Sequence, residues 1–394
     1  MNKNQFVPQI PYGTRDLLLR EARQKRIVEG SIAELFSRWG YDEVVTPTFE
    51  YIETLAVGTG SDMHQQVFKF FDNNNRILVL KPDMTTPIAR VAATRLKGGQ
   101  LPLRLFYLTN VFRHEQAQAG RQCEFYQAGV ELLGAPGPAA DAEVVALAVE
   151  TMLESGLTNF QISLGQVDFV NGLMAESGLT PQYQQQIKGA MVARDLVGLG
   201  EILATSGLSP GAQALLQQIP LLHGQEEMLN KAYRLVSNEL SRRALDNLAD
   251  IRRLLAGYGV DRYVNFDLGI IRDFDYYTGM VLEGYTPGLG FPLCGGGRYD
   301  KMLASFGVDN PATGFALGIE RVLLAMERQG ISVSVPEQEV YIAWAEGQLS
   351  AAIEAAKNCR KAGRRTKLAL APAAREQAEL MAAGSGYEEL IYIE

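Results

Sequence analysis

The sequence predicts an α+β protein: a sheet-forming region with flanking helices, a helical segment inserted within it, and a small α/β unit at the C-terminal end. Residues 103–133 contain two runs that alternate apolar and polar side chains, as paired β-strands do. Residues 167–259 show helical spacing instead, interrupted by glycines. From about residue 338 the pattern is strand, helix, strand, helix, strand, which favours a parallel sheet.

The composition indicates two or three globular domains. The 394 residues are 47% hydrophobic, which is ample for buried cores. A net charge of -8 gives no overall attraction for nucleic acid. The three widely spaced cysteines form no C-x-x-C pair, so neither a metal site nor a disulfide framework is expected. A reducing, cytoplasmic location fits best, and no secretory signal or membrane span is predicted.

An amphipathic helix is the first predicted element. Its apolar face is made by Ile27, Val28, Ile32, Leu35, Phe36 and Trp39. Gly40 is placed to end it, as glycine does after many helices. Residues 41–55 then favour a strand that is broken at Pro47.

The next segment predicts two strands joined by a turn at residues 72–75, DNNN. Asp83 and Thr85 follow the second strand, and Pro87 indicates the first turn of a helix. Asp83 therefore has two open interpretations. It can cap the helix, because aspartate is favoured at that position, or it can bind a ligand.

Residues 104–134 predict a β-hairpin with a polar loop at 116–122. Charged groups in apolar strands are costly unless they are paired or bind a ligand, so these side chains suggest a lined pocket. The alternative is an edge hairpin with one solvated face. The polar residues in question are Arg113, Glu115, Arg121, Gln127 and Glu131.

The middle of the chain predicts a helix at 141–156, a strand at 159–165 and the helical segment 167–259, with stops at Gly178, Gly207 and Gly257. Strands resume at 264, and the residues RDFDYY at 272–277 break their alternation. CGGGRYD, from Cys294, predicts a glycine-rich turn before a short helix, and residues 313–326 predict a strand followed by a helix.

In the C-terminal unit acidic residues outnumber basic ones, whereas a domain that grips a polyanion normally shows the opposite.

Several of these segments together resemble class II aminoacyl-tRNA synthetases in their histidyl form. FRHE with the following FYQAGVELLG is similar to motif 2, whose arginine binds the α-phosphate of ATP and the amino-acid carboxylate, and TGFALGIER is similar to motif 3, whose arginine binds the γ-phosphate. The first helix and strand resemble motif 1, which forms a homodimer interface. The resemblance implies an antiparallel sheet with flanking helices in residues 1–329, a helical insertion at about 167–259, and a truncated anticodon-binding-like α/β domain at 330–394.

Three further segments resemble motifs specific to histidyl-tRNA synthetases: KPDMT for RPEGT, RDFDYY for RGLDYY, and CGGGRYD for CAGGRYD, which places Arg298 and Tyr299 near the pocket. The resemblance implies a pocket for free histidine. Its amino group needs an anion, its carboxylate a cation, and its ring polar partners. The expected groups are Asp83, Thr85 and Gln127 at the amino end, Arg272 and Arg113 at the carboxylate, and Glu131, Tyr276 and Tyr277 around the imidazole. The residues implied for any retained ATP site are Arg113, Glu115, Arg121 and Arg321.

The chain also departs from the synthetase pattern. Asp83 replaces a glutamate, Met84 and Asp273 replace glycines, and the acidic C-terminal unit ends earlier. This combination resembles the regulatory subunits of ATP phosphoribosyltransferase, which are non-catalytic paralogues. That resemblance implies no catalytic residues and no cofactor, a short-form catalytic subunit as partner, histidine as feedback effector, and no tRNA.

Two alternatives remain open at this point: a working histidyl-tRNA synthetase, and an enzyme that adenylates an amino acid and passes it to something other than tRNA.

Overall fold

The structure is a computed structural model that describes residues 8–58, 67–114, 122–270, 276–335 and 339–394. These residues divide into two compact units, Met1–Ser332 and Val333–Glu394.

The first unit is built from twelve strands and twelve α-helices in the described residues. In chain order they are α1 (Arg20–Arg38), β1 (Asp42–Glu43), β2 (Phe49–Tyr51), α2 (Ile52–Gly58), β3 (Lys69–Phe71), β4 (Ile77–Leu80), α3 (Thr85–Thr94), β5 (Leu103–Phe112), β6 (Glu124–Leu133), α4 (Pro138–Glu154), β7 (Gln161–Gln166), α5 (Val167–Ser177), α6 (Pro181–Val192), α7 (Leu196–Thr205), α8 (Pro210–Gln218), β8 (His223–Gly224), α9 (Glu226–Leu235), α10 (Glu239–Tyr258), β9 (Val264–Asp267), β10 (Met280–Tyr285), β11 (Cys294–Arg298), α11 (Asp300–Ser305), β12 (Ala312–Gly318) and α12 (Ile319–Arg328).

One large sheet organises this unit. Within the described ranges its strand order is β1-β5-β6-β12-β11-β10-β7-β9-β8, and every pair is antiparallel except β1 with β5 and β7 with β9. The predicted hairpin is confirmed, with Leu103 opposite Leu133 and Phe112 opposite Glu124. A separate small sheet has the order β2-β4-β3, and the predicted turn joins β3 to β4.

Alternation along β5 separates the two faces of the large sheet. Phe106 points to α1, where its ring meets Phe36 at 5.6 Å. Tyr107 points the other way, into a buried cluster with Ile88 of α3 and Leu303 of α11. Since opposed residues in a ladder share a face, Glu131 and its neighbours at every second position of β6 lie on the α3–α11 side.

Several sequence predictions in this unit are wrong in detail. Residues 52–58 form a helix rather than a strand, because that turn of helix buries Leu55 against Val67 and Val79. Helix α10 continues through Gly257 and ends where Gly259 adopts a left-handed φ of 74°. Helix α4 begins at Pro138, three residues before its predicted start at residue 141. On the predicted apolar face of α1, Ile27 is 37% exposed and Trp39 is half-buried, and the other four residues are core.

The glycine-rich segment 294–298 is strand β11 rather than a turn. Its glycines are required by a close approach to neighbouring strands. A Cβ on Gly296 would lie 2.1 Å from the carbonyl oxygen of Gly314, and one on Gly297 would lie 2.4 Å from that of Met280. The glycines of β11 are therefore explained by the close approach of neighbouring strands. In the sequence, a run of glycines with this origin looks the same as a glycine-rich turn.

The second unit is the predicted β-α-β-α-β arrangement, and its parallel sheet is confirmed. Its elements are β13 (Val340–Trp344), α13 (Leu349–Lys361), β14 (Thr366–Leu368), α14 (Arg375–Gly384) and β15 (Glu389–Ile393). The strand order is β14-β13-β15, and both pairs are parallel.

Candidate functional site

A trough lies on the α3–α11 face of the large sheet. Its floor is the stretch of β12 and β11 beside Glu131, where the residues on this face are small: Gly314, Ala316, Gly318 and Gly295. Gly314 is directly opposite Glu131, and a Cβ there would lie 2.0 Å from Glu131 Oε2. The small side chains therefore leave room both for the carboxyl group and for a ligand above it.

Most of the predicted site residues meet in this trough. The cavity has a volume of about 90 Å³, compared with about 10–15 Å³ needed to hold one water molecule. Arg272, Glu115 and Arg121 lie outside the described residues. The predicted residues that line it are Asp83, Thr85, Arg113, Gln127, Glu131, Tyr276, Tyr277 and Arg321.

Two buried acceptors among the residues that line the trough have no hydrogen-bond partner in the part of the chain that the structure describes. They are Asp83 Oδ2 and Gln127 Oε1. The other oxygen of Asp83 accepts from the backbone N–H of Thr86 at 3.3 Å, so the carboxylate also serves the first turn of α3. Burial raises the pKa of Asp83, and the charge of Arg113 opposes that shift. Unpaired buried acceptors cost about 1–3 kcal/mol each, so the trough is suited to a cation rich in N–H donors.

Glu131 lies at the centre of the trough and is only 2% exposed. Its Oε2 accepts from the hydroxyl of Tyr299, and its Oε1 accepts from Thr85 Oγ1 at 3.1 Å. Burial is the chief cause that raises the pKa of Glu131 to about 8, although both hydrogen bonds act in the opposite direction. The group is therefore mostly protonated at neutral pH, and it can donate a proton to, or share one with, a ligand of similar pKa.

Two cationic side chains also line the trough, and one of them, Arg113, lies close enough to Asp83 to act on its pKa. Arg113 donates from Nε to the carbonyl oxygen of Pro82 at 2.9 Å, and its guanidinium lies 5.5 Å from the ring centre of Phe125. Arg321 donates from Nη1 to the carbonyl oxygen of Pro292 at 2.7 Å. Both guanidinium groups are half-buried and line the cavity, so they can meet an anion there.

Aromatic rings close one side of the trough. Tyr276 and Tyr277 have ring centres 4.7 Å apart, and Tyr276 meets Tyr299 edge-on at 6.0 Å. The expectation that Arg298 lies near the pocket is wrong: it is directed away, where it is buried in an ion pair with Asp141. The reason is strand alternation, which sends Arg298 and Tyr299 in different directions at the end of β11.

Two further tyrosines line the trough: Tyr299, which the resemblance placed near the pocket, and Tyr107, which was not predicted. Tyr107 is buried beside Gly129, and Tyr299 donates to Glu131. Tyr107 could have been found by its register, since it is two residues from Leu105, which faces Glu131 across the hairpin. The role of Tyr299 depends on the fold of β11, which was predicted as a turn.

Met84 replaces the motif's glycine and is 1% exposed. Its sulfur accepts from Thr46 Oγ1 at 3.4 Å, and its side chain packs into the cluster that contains Ile88 and Tyr107. The added bulk is thus absorbed by core under the trough, and Met84 is not among the residues that line the cavity.

Among the residues that the structure describes, no group of His, Cys, Asp and Glu side chains could hold a metal ion. Within the same residues, no helix combines the length and the apolar character needed to cross a membrane.

Comparison with known proteins gives concordant results. The family model described as histidyl-tRNA synthetase matches residues 13–322. An ATP phosphoribosyltransferase regulatory subunit from Desulforamulus reducens is 44% identical over 97% of this chain and 95% of its own length. One from Moorella thermoacetica is 46% identical over 80% of this chain and 82% of its own.

A crystal structure titled as an ATP phosphoribosyltransferase regulatory subunit/histidyl-tRNA synthetase from Bacillus halodurans C superposes with a TM-score of 0.88. It is 34% identical and covers 99% of this chain and 100% of its own. Histidyl-tRNA synthetase from Nostoc sp. PCC 7120, at 20% identity and a TM-score of 0.83, shares the fold over 97% of this chain and 90% of its own.

The sheet, its flanking helices and the trough thus define a protein with the class II synthetase fold in its histidyl-tRNA synthetase form. Within that class, the chain belongs to the family of ATP phosphoribosyltransferase regulatory subunits.

Proposed function

We infer that this chain is the non-catalytic regulatory subunit of ATP phosphoribosyltransferase, which carries out the first step of histidine biosynthesis, and that it senses free histidine in the trough. The observation that carries the second part is a pair of buried acceptors, Asp83 Oδ2 and Gln127 Oε1, which have no hydrogen-bond partner within the described residues. An α-ammonium group offers three N–H donors and a positive charge, which meets both needs at once. Membership of the regulatory-subunit family supports the first part.

The remaining parts of histidine have counterparts in the trough. Arg113, together with Arg272 from outside the described residues, would hold the carboxylate. Glu131 would hold an imidazole nitrogen, because a carboxyl group with a pKa of about 8 and an imidazole with a pKa of about 6.5 can share one proton near neutral pH. Tyr277 would close the ring side.

Feedback would follow from linkage. If histidine binds one arrangement of the complex more tightly than another, its binding shifts the population toward that arrangement. A coupling free energy of about 1–3 kcal/mol would change the partner's activity or affinity by roughly 5- to 150-fold. No contact between histidine and the catalytic subunit is needed.

The test of this function is reconstitution. Mixing the chain with a short-form ATP phosphoribosyltransferase catalytic subunit should raise its activity, and added histidine should lower that activity again. The chain alone should give no histidine-dependent exchange of pyrophosphate into ATP.

A working synthetase is the second candidate, favoured by Arg113 and Arg321 in the cavity wall. Exchange at ordinary synthetase rates, or charging of tRNA, would establish that candidate and refute the regulatory function. Failure to activate any short-form partner would remove the partner from the proposal.

We also propose that the chain forms a homodimer through its first unit. The sheet of β2, β4 and β3 shows an aromatic face in which Phe49 is 48%, Tyr51 36% and Phe70 37% exposed. Phe49 and Phe70 meet edge-on at 5.8 Å, so they form one apolar patch. Exposed patches of this kind are typical of protein interfaces.

Light scattering should give a mass of about twice 43.3 kDa for the wild-type chain. Replacing Phe49 and Phe70 with aspartate should yield the monomer. The same change at Leu196 and Val197, which are 46% and 75% exposed on α7, serves as the control and should leave the mass unchanged. A dimer that survives the double aspartate variant would exclude this face.

A further inference from the structure

A basic groove lies along one edge of the second unit. The sequence CRKAGRRTK, residues 359–367, contains five basic residues and no acidic one, in a chain of net charge -8. Although acids outnumber bases in the unit as a whole, the fold gathers these bases at the end of α13 and along β14. The groove has a volume of about 780 Å³. It is lined by Arg360, Gly363, Arg364, Arg365, Thr366, Lys367, Leu368 and Leu370.

The groove follows the edge strand of the sheet in the second unit. Strand β14 is at the end of the order β14-β13-β15. The carbonyl of Arg365 accepts from Val340 N at 3.0 Å, and Ala369 N donates to Ile342 O at 2.7 Å, so these two residues bond to β13. By alternation, Thr366 and Leu368 direct their backbone groups to the opposite side.

One arginine is already held at that edge. Arg360 donates from Nη2 to the carbonyl oxygen of Thr366 at 3.2 Å. A guanidinium group therefore takes the position that a neighbouring strand's N–H would take, with its remaining donors available to an incoming carboxylate. Lys367, on the strand itself, is exposed.

The apolar and aromatic residues of a groove help to distinguish a protein partner from a nucleic-acid partner. Leu370 is 99% exposed at one end of the groove, and Leu368 is half-buried beside it. Among the described residues, no aromatic side chain lines the groove, whereas proteins that bind single-stranded nucleic acid stack bases on such rings. Charge, strand edge and leucine together fit a protein segment better than RNA.

We propose that this groove is the docking surface for an extended, acidic segment of the partner catalytic subunit, which adds as a strand beside β14. This inference rests on the proposed function, since it takes the partner from it. Main-chain bonds to the N–H of Thr366 and to Leu368 supply the pairing, as in other complexes formed by strand addition, while Arg360 keeps its bond to the Thr366 carbonyl. Carboxylates of the segment meet Arg360, Arg365 and Lys367, and an apolar side chain covers Leu370.

Charge reversal in the full-length chain tests the inference. The triple variant Arg360→Glu, Arg365→Glu, Lys367→Glu is compared with the control Lys231→Glu, Arg243→Glu, Arg253→Glu, which changes the same number of exposed charges on α9 and α10. The probe is the short-form catalytic subunit that the wild-type chain activates, and its Kd is measured by calorimetry at low and high salt. We expect the groove variant to bind at least about 30-fold more weakly and to lose most of the salt dependence, while the control binds as the wild type does.

Two further variants distinguish a loss of binding from a folding defect. Lys367→Glu alone and Leu370→Asp alter exposed side chains, and each should weaken the complex by a smaller factor while histidine still binds to the chain with unchanged affinity. Equal binding by the wild type and the groove variant would overturn the inference, as would an equal loss in the control. Tight binding of a tRNA transcript that the groove variant abolishes would assign the surface to RNA instead. If the wild-type chain fails to activate any catalytic subunit, the proposed function is at fault rather than the groove.

Discussion

Replacing Glu131 with alanine is expected to weaken histidine binding by at least about 100-fold, which corresponds to roughly 3 kcal/mol. The change removes the partner of a ring nitrogen in a buried site and leaves the hydroxyls of Tyr299 and Thr85 without their acceptor. Glu131→Gln keeps the shape of the side chain and can pair with one ring nitrogen. Its affinity for histidine should therefore fall between that of the wild type and that of Glu131→Ala. Calorimetry with histidine measures both.

The same residue should control a part of the pH dependence of stability. An acid whose pKa rises from 4.5 in the unfolded chain to about 8 in the folded state keeps its proton longer when folded. The contribution of Glu131 to the free energy of unfolding is therefore fully present below pH 4.5 and is lost progressively as the pH rises to about 8. In Glu131→Gln this loss is absent, so the ligand-free variant should be more stable than the wild type at pH 7, by up to roughly 3 kcal/mol.

Urea unfolding from pH 5 to pH 8 measures this effect. Glu124→Gln is the matched control, because Glu124 lies on the same strand but bonds to Asn110 rather than lining the trough. The control should follow the wild type in both histidine binding and stability. Unchanged histidine affinity in Glu131→Ala would remove Glu131 from the site.

Asp83→Asn should weaken histidine binding by at least about 30-fold, or roughly 2 kcal/mol, because it removes the counter-charge of the ammonium group. The amide keeps an oxygen for Thr86 N, so the start of α3 should persist. In the reconstituted complex, activation without histidine should be unchanged, while inhibition should require proportionally more histidine. Enzyme assays across a histidine titration measure this shift.

A histidine analogue tests the contact between Asp83 and the ammonium group separately. Imidazolepropionate lacks the ammonium group, so it should bind the wild type weakly, and Asp83→Asn should cost it little or nothing further. Asp168→Asn, in the first turn of α5 and outside the trough, is the control and should bind histidine normally. An Asp83→Asn variant that loses affinity for both ligands equally would place the ammonium group elsewhere.

Local chemistry explains which parts of the fold could be read from the sequence. The hairpin of β5 and β6 was recognisable because its alternation persists over ten residues in each strand. Helix α1 and the parallel C-terminal unit were recognisable for similar reasons. Strand β11 was not, because its glycines satisfy close contacts with Gly314 and Met280, which lie far away in the sequence. Helix α2 was mistaken for a strand because its seven residues are too short to show a clear helical period.

The sequence by itself indicated the family and most of the polar residues that line the trough, since both depend on residue types at fixed spacings. Only the tertiary structure decided which of these residues act together. It turned Arg298 away to Asp141, brought Tyr299 to Glu131, and left Asp83 Oδ2 without a partner in the described chain. The physical reason is that burial and pairing are properties of neighbours across the sheet: the raised pKa of Glu131 comes from what surrounds it after folding, which no local pattern encodes.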